Sequence, residues 1–362
     1  MTDSVIDRRR RGRAAWLLLL LAPLCAELAF SAVSMPIMWL AFPFLIPMYG
    51  LGVLVIRELV IRSGGGWPSL LLMGLVYELA EDGLGLQALT SPVLYNAAEW
   101  GPRVLGLNLT YWESQVGYHL TFSVLIPVMI TNLVFPELRA EPYLRRRGLI
   151  ISGIAAALGI AMLKIVFTST TDPGYLAPLP FLVGLVAVMG VLSFVALRIL
   201  PRRWPAAAPP VADRGGTGPP VPPPPVAALI AAAATLIFLG LLMPGDPMQG
   251  PAIGEGSFVL LPMTVAAAVA ITVAVLIVRW HNAGMSDRHR IWLAGGALVA
   301  HTLFPIVTTI LHPVDQLTTT VALTAGPAMI VVTVLLLARL AAVTGRRSGQ
   351  LSPADRSQPL RF

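Results

Sequence analysis

The chain has 362 residues, of which 56% are hydrophobic and 12% charged, with a mean hydropathy of +0.77. Soluble domains carry about 25% charged residues, so this composition excludes an ordinary soluble globular protein. The formal charge of +7 and the pI near 10.2 sit in short basic clusters beside apolar runs. They read as topology signals and contacts with anionic lipid heads, with no nucleic acid as partner.

A bilayer span needs roughly 20 apolar residues. In chain order, spans are expected near 15–35, 37–61, 67–89, 115–135, 148–168, 177–200, 226–243, 257–279, 291–312 and 318–342. The predicted fold class is therefore an all-α integral membrane protein of about ten transmembrane helices. Its parts are a basic N-terminus (1–14), a six-span domain (15–200), a Pro-rich linker (201–225), a four-span domain (226–343) and a tail (344–362). Taken in turn across a bilayer, these spans leave all but two of the 25 Lys+Arg on the side of the N-terminus. The exceptions are Arg103 and Lys164. The positive-inside rule then makes both termini cytoplasmic. Arg over Lys, with abundant Ala, Gly and Pro, is the bias of a GC-rich genome and points to a bacterial plasma membrane.

The N-terminal arginines followed by Trp16–Leu21 resemble the start of a signal peptide, but no cleavage site follows, so a retained first span is expected. The one cysteine, Cys25, follows Leu21-Ala22-Pro23-Leu24 and lacks the small residue that precedes a lipidated cysteine. It allows neither an intramolecular disulfide nor a Cys-based metal site within one chain.

The third span carries Tyr77-Glu78-Leu79-Ala80-Glu81-Asp82. Glu78, Glu81 and Asp82 share one helix face. A helix ending at Asp82 puts them at the outer interface, as solvated acids. One running to Leu89 puts Glu78 near mid-membrane, where acids are costly and functional by default. Three acids so crowded cannot all be ionised cheaply, and at least one is expected to hold a proton.

The fourth span holds Tyr118-His119 and Ser123, with Pro127 removing the hydrogen bond that the Ser123 carbonyl would otherwise receive. His119 is either a proton carrier near the acids or an interfacial residue. Lys164, the only lysine, lies in the outer half of the fifth span, where it pairs with an acid or snorkels to the interface. His301 lies mid-span in the ninth, on a stripe with Pro305, Thr308 and His312, as a weaker candidate that either serves chemistry or bonds a neighbouring helix. Glu27 in the first span has the same two readings. Arg57-Glu58 and Arg339 read as paired or snorkelling. The outer loop 90–113, aromatic and long, is either a cap over an outward cavity or an ordinary interfacial loop.

The segment from Gln87 to Pro136, with Ser91-Pro92, Tyr95-Asn96, His119 and Phe135-Pro136, resembles uncharacterised bacterial multi-pass membrane proteins. The resemblance covers about 50 residues and implies no activity. H-E-x-x-H, the P-loop, G-x-S-x-G and Asp-rich prenyltransferase motifs are missing, and no internal repeat is visible. Three readings stay open. The first is a proton- or cation-coupled transporter that uses Glu78, Glu81 and Asp82, tuned by His119 and Lys164. The second is an intramembrane enzyme that acts on a lipid or isoprenoid by carboxyl and His acid–base chemistry. The third is a non-catalytic partner subunit. No organic cofactor is implied. A metal held by His119 and the acids would suit zinc or manganese. Besides the lipid bilayer, the partner is a small molecule, ion or lipid of unknown identity.

Overall fold

The computed structural model describes residues 2–93, 101–204, 220–243 and 256–350. Apolar runs of this length cannot leave backbone groups unbonded in hydrocarbon, and the chain answers with helices throughout. They are α1 (Thr2–Pro23, prolonged by a wide π-type turn Leu24–Leu28), the short α2 (Ser31–Ser34), α3 (Met38–Arg62) and α4 (Trp67–Glu78, prolonged by a π-type turn Leu79–Gly85). Then come α5 (Leu109–Val134), α6 (Arg146–Thr170), α7 (Leu179–Arg203), α8 (Pro224–Leu242), α9 (Leu260–Asn282), α10 (Asp287–Leu311) and α11 (Gln316–Gln350). A two-stranded antiparallel ribbon, β1 (Arg103–Val104) with β2 (Leu107–Asn108), precedes α5.

Among the described residues, eight of these helices are long and apolar enough to cross a membrane: α3 and α5 to α11. The expected first and third spans are helical too, as α1 and α4, but charge interrupts their apolar runs: Glu27 and the N-terminal arginines in one, Glu78, Glu81 and Asp82 in the other. The fourth span begins earlier than expected, at Leu109, where the Asn108 side chain accepts from the Tyr111 amide and caps the helix. Two further boundaries differ from expectation. Helix continues to Arg203 and restarts at Pro224, so the non-helical linker is shorter, and its middle, 205–219, lies outside the described residues. Helix α11 continues to Gln350, into the expected loose tail.

Burial sorts the helices. In α5 and α10, 61% and 56% of the most apolar stretch is buried; in the other six spanning helices the share is between 11% and 33%. The latter expose Ile151, Leu158, Val191, Ile271 and Leu335, which suits a lipid-facing surface. Helix α5 is the central one, packed against α1, α4, α8, α9 and α10. Two glycines permit the tightest crossings. A Cβ on Gly50 of α3 would lie 2.2 Å from the Leu19 carbonyl oxygen of α1, and one on Gly296 of α10 would lie 2.0 Å from that of Ala228 in α8.

At the end of the bundle that carries the N-terminal arginines, Arg57 is fully buried and donates to the carbonyls of Leu138 (2.8 Å), Arg139 (3.2 Å) and Glu141 (3.1 Å). Its guanidinium carbon lies 3.4 Å from the centre of the Tyr143 ring. Neighbouring Glu58 accepts from the amides of Tyr143 (2.6 Å) and Leu144 (3.2 Å). Together the two side chains fix the loop 135–145 and satisfy backbone groups that the helices leave open. Of the two readings for Arg57-Glu58, pairing is therefore the one realised.

Candidate functional site: a buried acid and histidine cluster

Among the described residues five helices contain a π-type turn, and four of these turns send polar side chains toward one another. They are Leu24–Leu28 with Glu27, Ile46–Leu51 with Tyr49, Leu79–Gly85 with Glu81 and Asp82, and His119–Leu125 with His119 and Ser123. A backbone breaker stands at or beside each: Pro23, Pro47, the pair Gly83 and Gly85, and Pro127. Each interrupts the regular ladder, so bonds reach one residue further: the Ala29 amide donates to Leu24 O at 2.9 Å and that of Leu86 to Glu81 O at 2.8 Å. The wider turns aim their side chains inward at one another.

These side chains meet around His119. Its Nδ1 lies 3.0 Å from Ser123 Oγ and 3.4 Å from Glu81 Oε2, and its Nε2 lies 3.4 Å from Asp82 Oδ2. Tyr49 donates to Glu27 at 2.6 Å and Tyr111 to Asp82 at 2.7 Å, while Trp112 donates to Glu78 at 3.3 Å. Tyr49, Tyr77 and Tyr118 place their rings 5.1–6.3 Å from the His119 ring. Glu78, Asp82 and Ser123 have no exposure, and Glu81 and His119 have 2% and 3%. Glu78 Oε1, Glu81 Oε2 and Asp82 Oδ2 lack a hydrogen-bond partner of good geometry.

At 1.5 Å per residue, Glu78 stands about 16 Å along α4 from Trp67, close to the middle of a 30 Å core. Helix continues past Asp82 to Gly85 and breaks at Gln87, whose φ is 56°. The acids are thus buried inside the bundle, not solvated at a helix end. Gln87 is held in this conformation by the Ala177 amide, which donates to its side chain at 2.8 Å.

Charge is unbalanced. Four carboxyls (Glu27, Glu78, Glu81, Asp82) gather here, and among the described residues their ion pairs are with His119 alone. An uncompensated buried carboxylate costs several kcal/mol, so the cluster must bind protons or a cation to exist at this depth. Among the described residues no three His, Cys, Asp or Glu side chains are arranged to hold a metal ion.

The structure therefore unites Glu78, Glu81, Asp82 and His119, and adds Glu27. Lys164 stands apart: it is half-buried and its Nζ donates to the Tyr175 carbonyl at 2.7 Å, in the outer loop. It pairs with none of the three acids, because the α6 face that carries it turns toward that loop. His301, fully buried, lies in a different niche. Its ring is sandwiched between Phe122 (3.7 Å, 15°) and Phe30 (4.6 Å, 27°), with neither nitrogen hydrogen-bonded. The expected hydrogen bond to a neighbouring helix is not made. The residue that sequence reasoning missed is Tyr49. Its signal was a lone phenol mid-way along an apolar span, two residues past Pro47.

The described part of the loop 90–113 is held by hydrogen bonds. Arg103 donates to the carbonyls of Ser91 (2.9 Å) and Thr90 (3.2 Å), the Asn108 amide donates to Leu89 O (2.9 Å), and Ser91 bonds Asp172. Residues 94–100 of this loop, with Tyr95, Asn96 and Trp100, lie outside the described residues.

A family model described as an uncharacterised membrane protein family matches residues 16–354. The chain belongs to this family. The match spans every helix just described, from the apolar part of α1 to α11, so the buried cluster and the lipid-facing surface are features of one membrane protein. No curated protein and no solved structure matches the chain.

Proposed function

We propose that this protein is a proton-coupled transporter of the plasma membrane, with its N-terminus in the cytoplasm. The observation that carries the reading is the set of four buried carboxyls around one imidazole, all on or beside wide π-type turns within the helices. Such turns supply irregular backbone inside protein, where membrane carriers place their ion sites. Protons loading and leaving these acids change the charge of a low-dielectric site by whole units, which is the work a coupled carrier needs. Glu78, Glu81 and Asp82 bind the protons, and His119 accepts one while holding Glu81 and Asp82 in place.

The test compares cells that express the parent chain or Glu81→Gln. Cytosol, medium and lipid extract are analysed by untargeted mass spectrometry, with and without a protonophore. A solute redistributed between cytosol and medium by the parent, but by neither the variant nor protonophore-treated cells, is the expected result. Unchanged solutes in all samples would remove the reading.

A second reading is an intramembrane enzyme acting on a lipid or isoprenoid. It is favoured by the contact of His119 with Ser123 on one ring nitrogen and Asp82 on the other, the relation of a base to a hydroxyl and an orienting acid. A changed lipid with unchanged solutes selects it. No change in either, with loss of a phenotype only when a loop is removed, selects a non-catalytic partner subunit.

A further inference from the structure

His301 belongs to α10, in the half of the chain that supplies none of the acids, yet it is one ring away from the cluster. Tyr118 lies between the two histidines, with ring centres 5.1 Å from His119 and 5.2 Å from His301. The imidazoles are thus within about 10 Å of one another. His301 is the second ring of a four-ring stack, Phe122–His301–Phe30–Phe304, the last contact being 5.9 Å at 7°. Both of its nitrogens are buried without a partner. A phenylalanine would make the same stack and leave no polar atom unbonded, so as a packing residue histidine is the wrong choice here. Sites that break a local rule in this way are where function is retained against stability.

We propose that His301 is a second proton-holding group of the same working site, contributed by the other half of the chain. This rests on the coupled-carrier reading for what the proton does, but not for whether it binds. When the helices around Tyr118 part and admit water, the unprotonated ring nitrogen takes one proton from hydronium, which leaves as water. When the site closes, the proton is released to water or to the cluster. The two phenyl faces favour a cation between them while it is held. The groups that bear on its charge are Tyr118 directly, then His119 with Glu81 and Asp82 beyond, and Glu27 on the turn leading to Phe30. At this separation the charge on either imidazole alters proton binding at the other by about one pH unit.

The experiment is C2-hydrogen exchange of individual histidines, read by mass spectrometry on the purified full chain in detergent at a series of pH values. The expected result is measurable exchange at His301 with a sigmoidal pH dependence, whose midpoint moves in His119→Gln. No exchange at His301 over days, or a midpoint that His119→Gln leaves unmoved, overturns the proposal. His301→Phe gives a second readout. It is expected to raise Tm by about 2 °C and to abolish the proton-dependent solute redistribution. A lower Tm means the nitrogens are satisfied by a buried water in a structural role, and that also overturns it. Exchange at His301 in a chain that redistributes no solute upholds His301 as a proton site and removes the transport reading alone.

Discussion

Asp82 and His119 meet across the α4–α5 contact, Oδ2 to Nε2 at 3.4 Å, while the other oxygen of Asp82 takes the Tyr111 hydroxyl at 2.7 Å. One carboxyl thereby joins the third and fourth expected spans and fixes the orientation of the imidazole. His119, bonded on its other side to Ser123, has no freedom to turn while this contact holds.

Glu78 separates function from stability most cleanly. In Glu78→Gln the Trp112 indole keeps an acceptor, and one buried ionisable group disappears. Thermal unfolding should be unchanged or shifted upward, and proton-dependent redistribution should be lost. Hydrophobic carbodiimides, which modify protonated carboxyls in apolar surroundings, should label the parent at this helix and label the variant less, by peptide mass mapping. Equal labelling of the two would place the reactive carboxyl elsewhere.

Tyr49→Phe deletes the hydroxyl that Glu27 accepts and leaves a buried carboxyl oxygen without its donor. A loss of about 1–3 kcal/mol follows from that unpaired group. Reversible unfolding in mixed detergent measures it. The double variant Tyr49→Phe, Glu27→Gln should lose less than the two single losses added, since the contact is shared.

The Arg57–Glu58 pair predicts a larger effect. Arg57→Ala leaves buried Glu58 with Arg62, at 3.3 Å, as its remaining cation and frees the carbonyls of Leu138, Arg139 and Glu141. Removing one partner of such a buried pair costs about 3–5 kcal/mol. Arg57→Lys should recover little, because one ammonium cannot replace a planar fork and its stack on Tyr143. Limited proteolysis within 135–145 should rise in both variants.

At Gly296 the α8–α10 crossing has no room for a methyl group, since the Ala228 carbonyl oxygen would be 2.0 Å away. Gly296→Ala must push two helices apart, at a cost of about 1–3 kcal/mol. Gly240, with nothing near its Cβ position, should tolerate the same change, and the pair of Tm values decides the matter.

The N-terminal end of α11 carries a pH-sensitive cap. Asp315 accepts from the Thr318 amide at 2.9 Å and from its hydroxyl at 2.7 Å, and these bonds hold its carboxyl below the usual range. For an acid so depressed, the stabilisation is present above its unfolded value and is lost as pH falls through the folded one. The Thr318 amide should exchange faster at acid pH. Asp315→Asn should keep most of the protection and make it pH-independent, whereas Asp315→Ala should lose it.

Composition and the spacing of apolar runs were enough to read a helical membrane protein, because hydrocarbon admits few other structures. The shared face of Glu78, Glu81 and Asp82 was legible from their spacing, but sequence left their depth open between the interface and mid-membrane. The breakers were visible as well, in Pro47, Pro127 and the Gly83–Gly85 pair. Sequence could not say that their turns send side chains toward one another, since each only perturbs its own helix.

What only the tertiary structure decided was which side chains meet. Periodicity gives the face of a helix but not the rotation of one helix against another. That rotation brought Glu27 and Tyr49 to the acids and left Lys164 at the outer loop. It also placed His301 against Phe122 with its nitrogens bare. The apolar sequence alone determined that the chain lives in a membrane. Side-chain packing between helices, which lipid does not drive and close approach at glycine permits, decided where its charge is held.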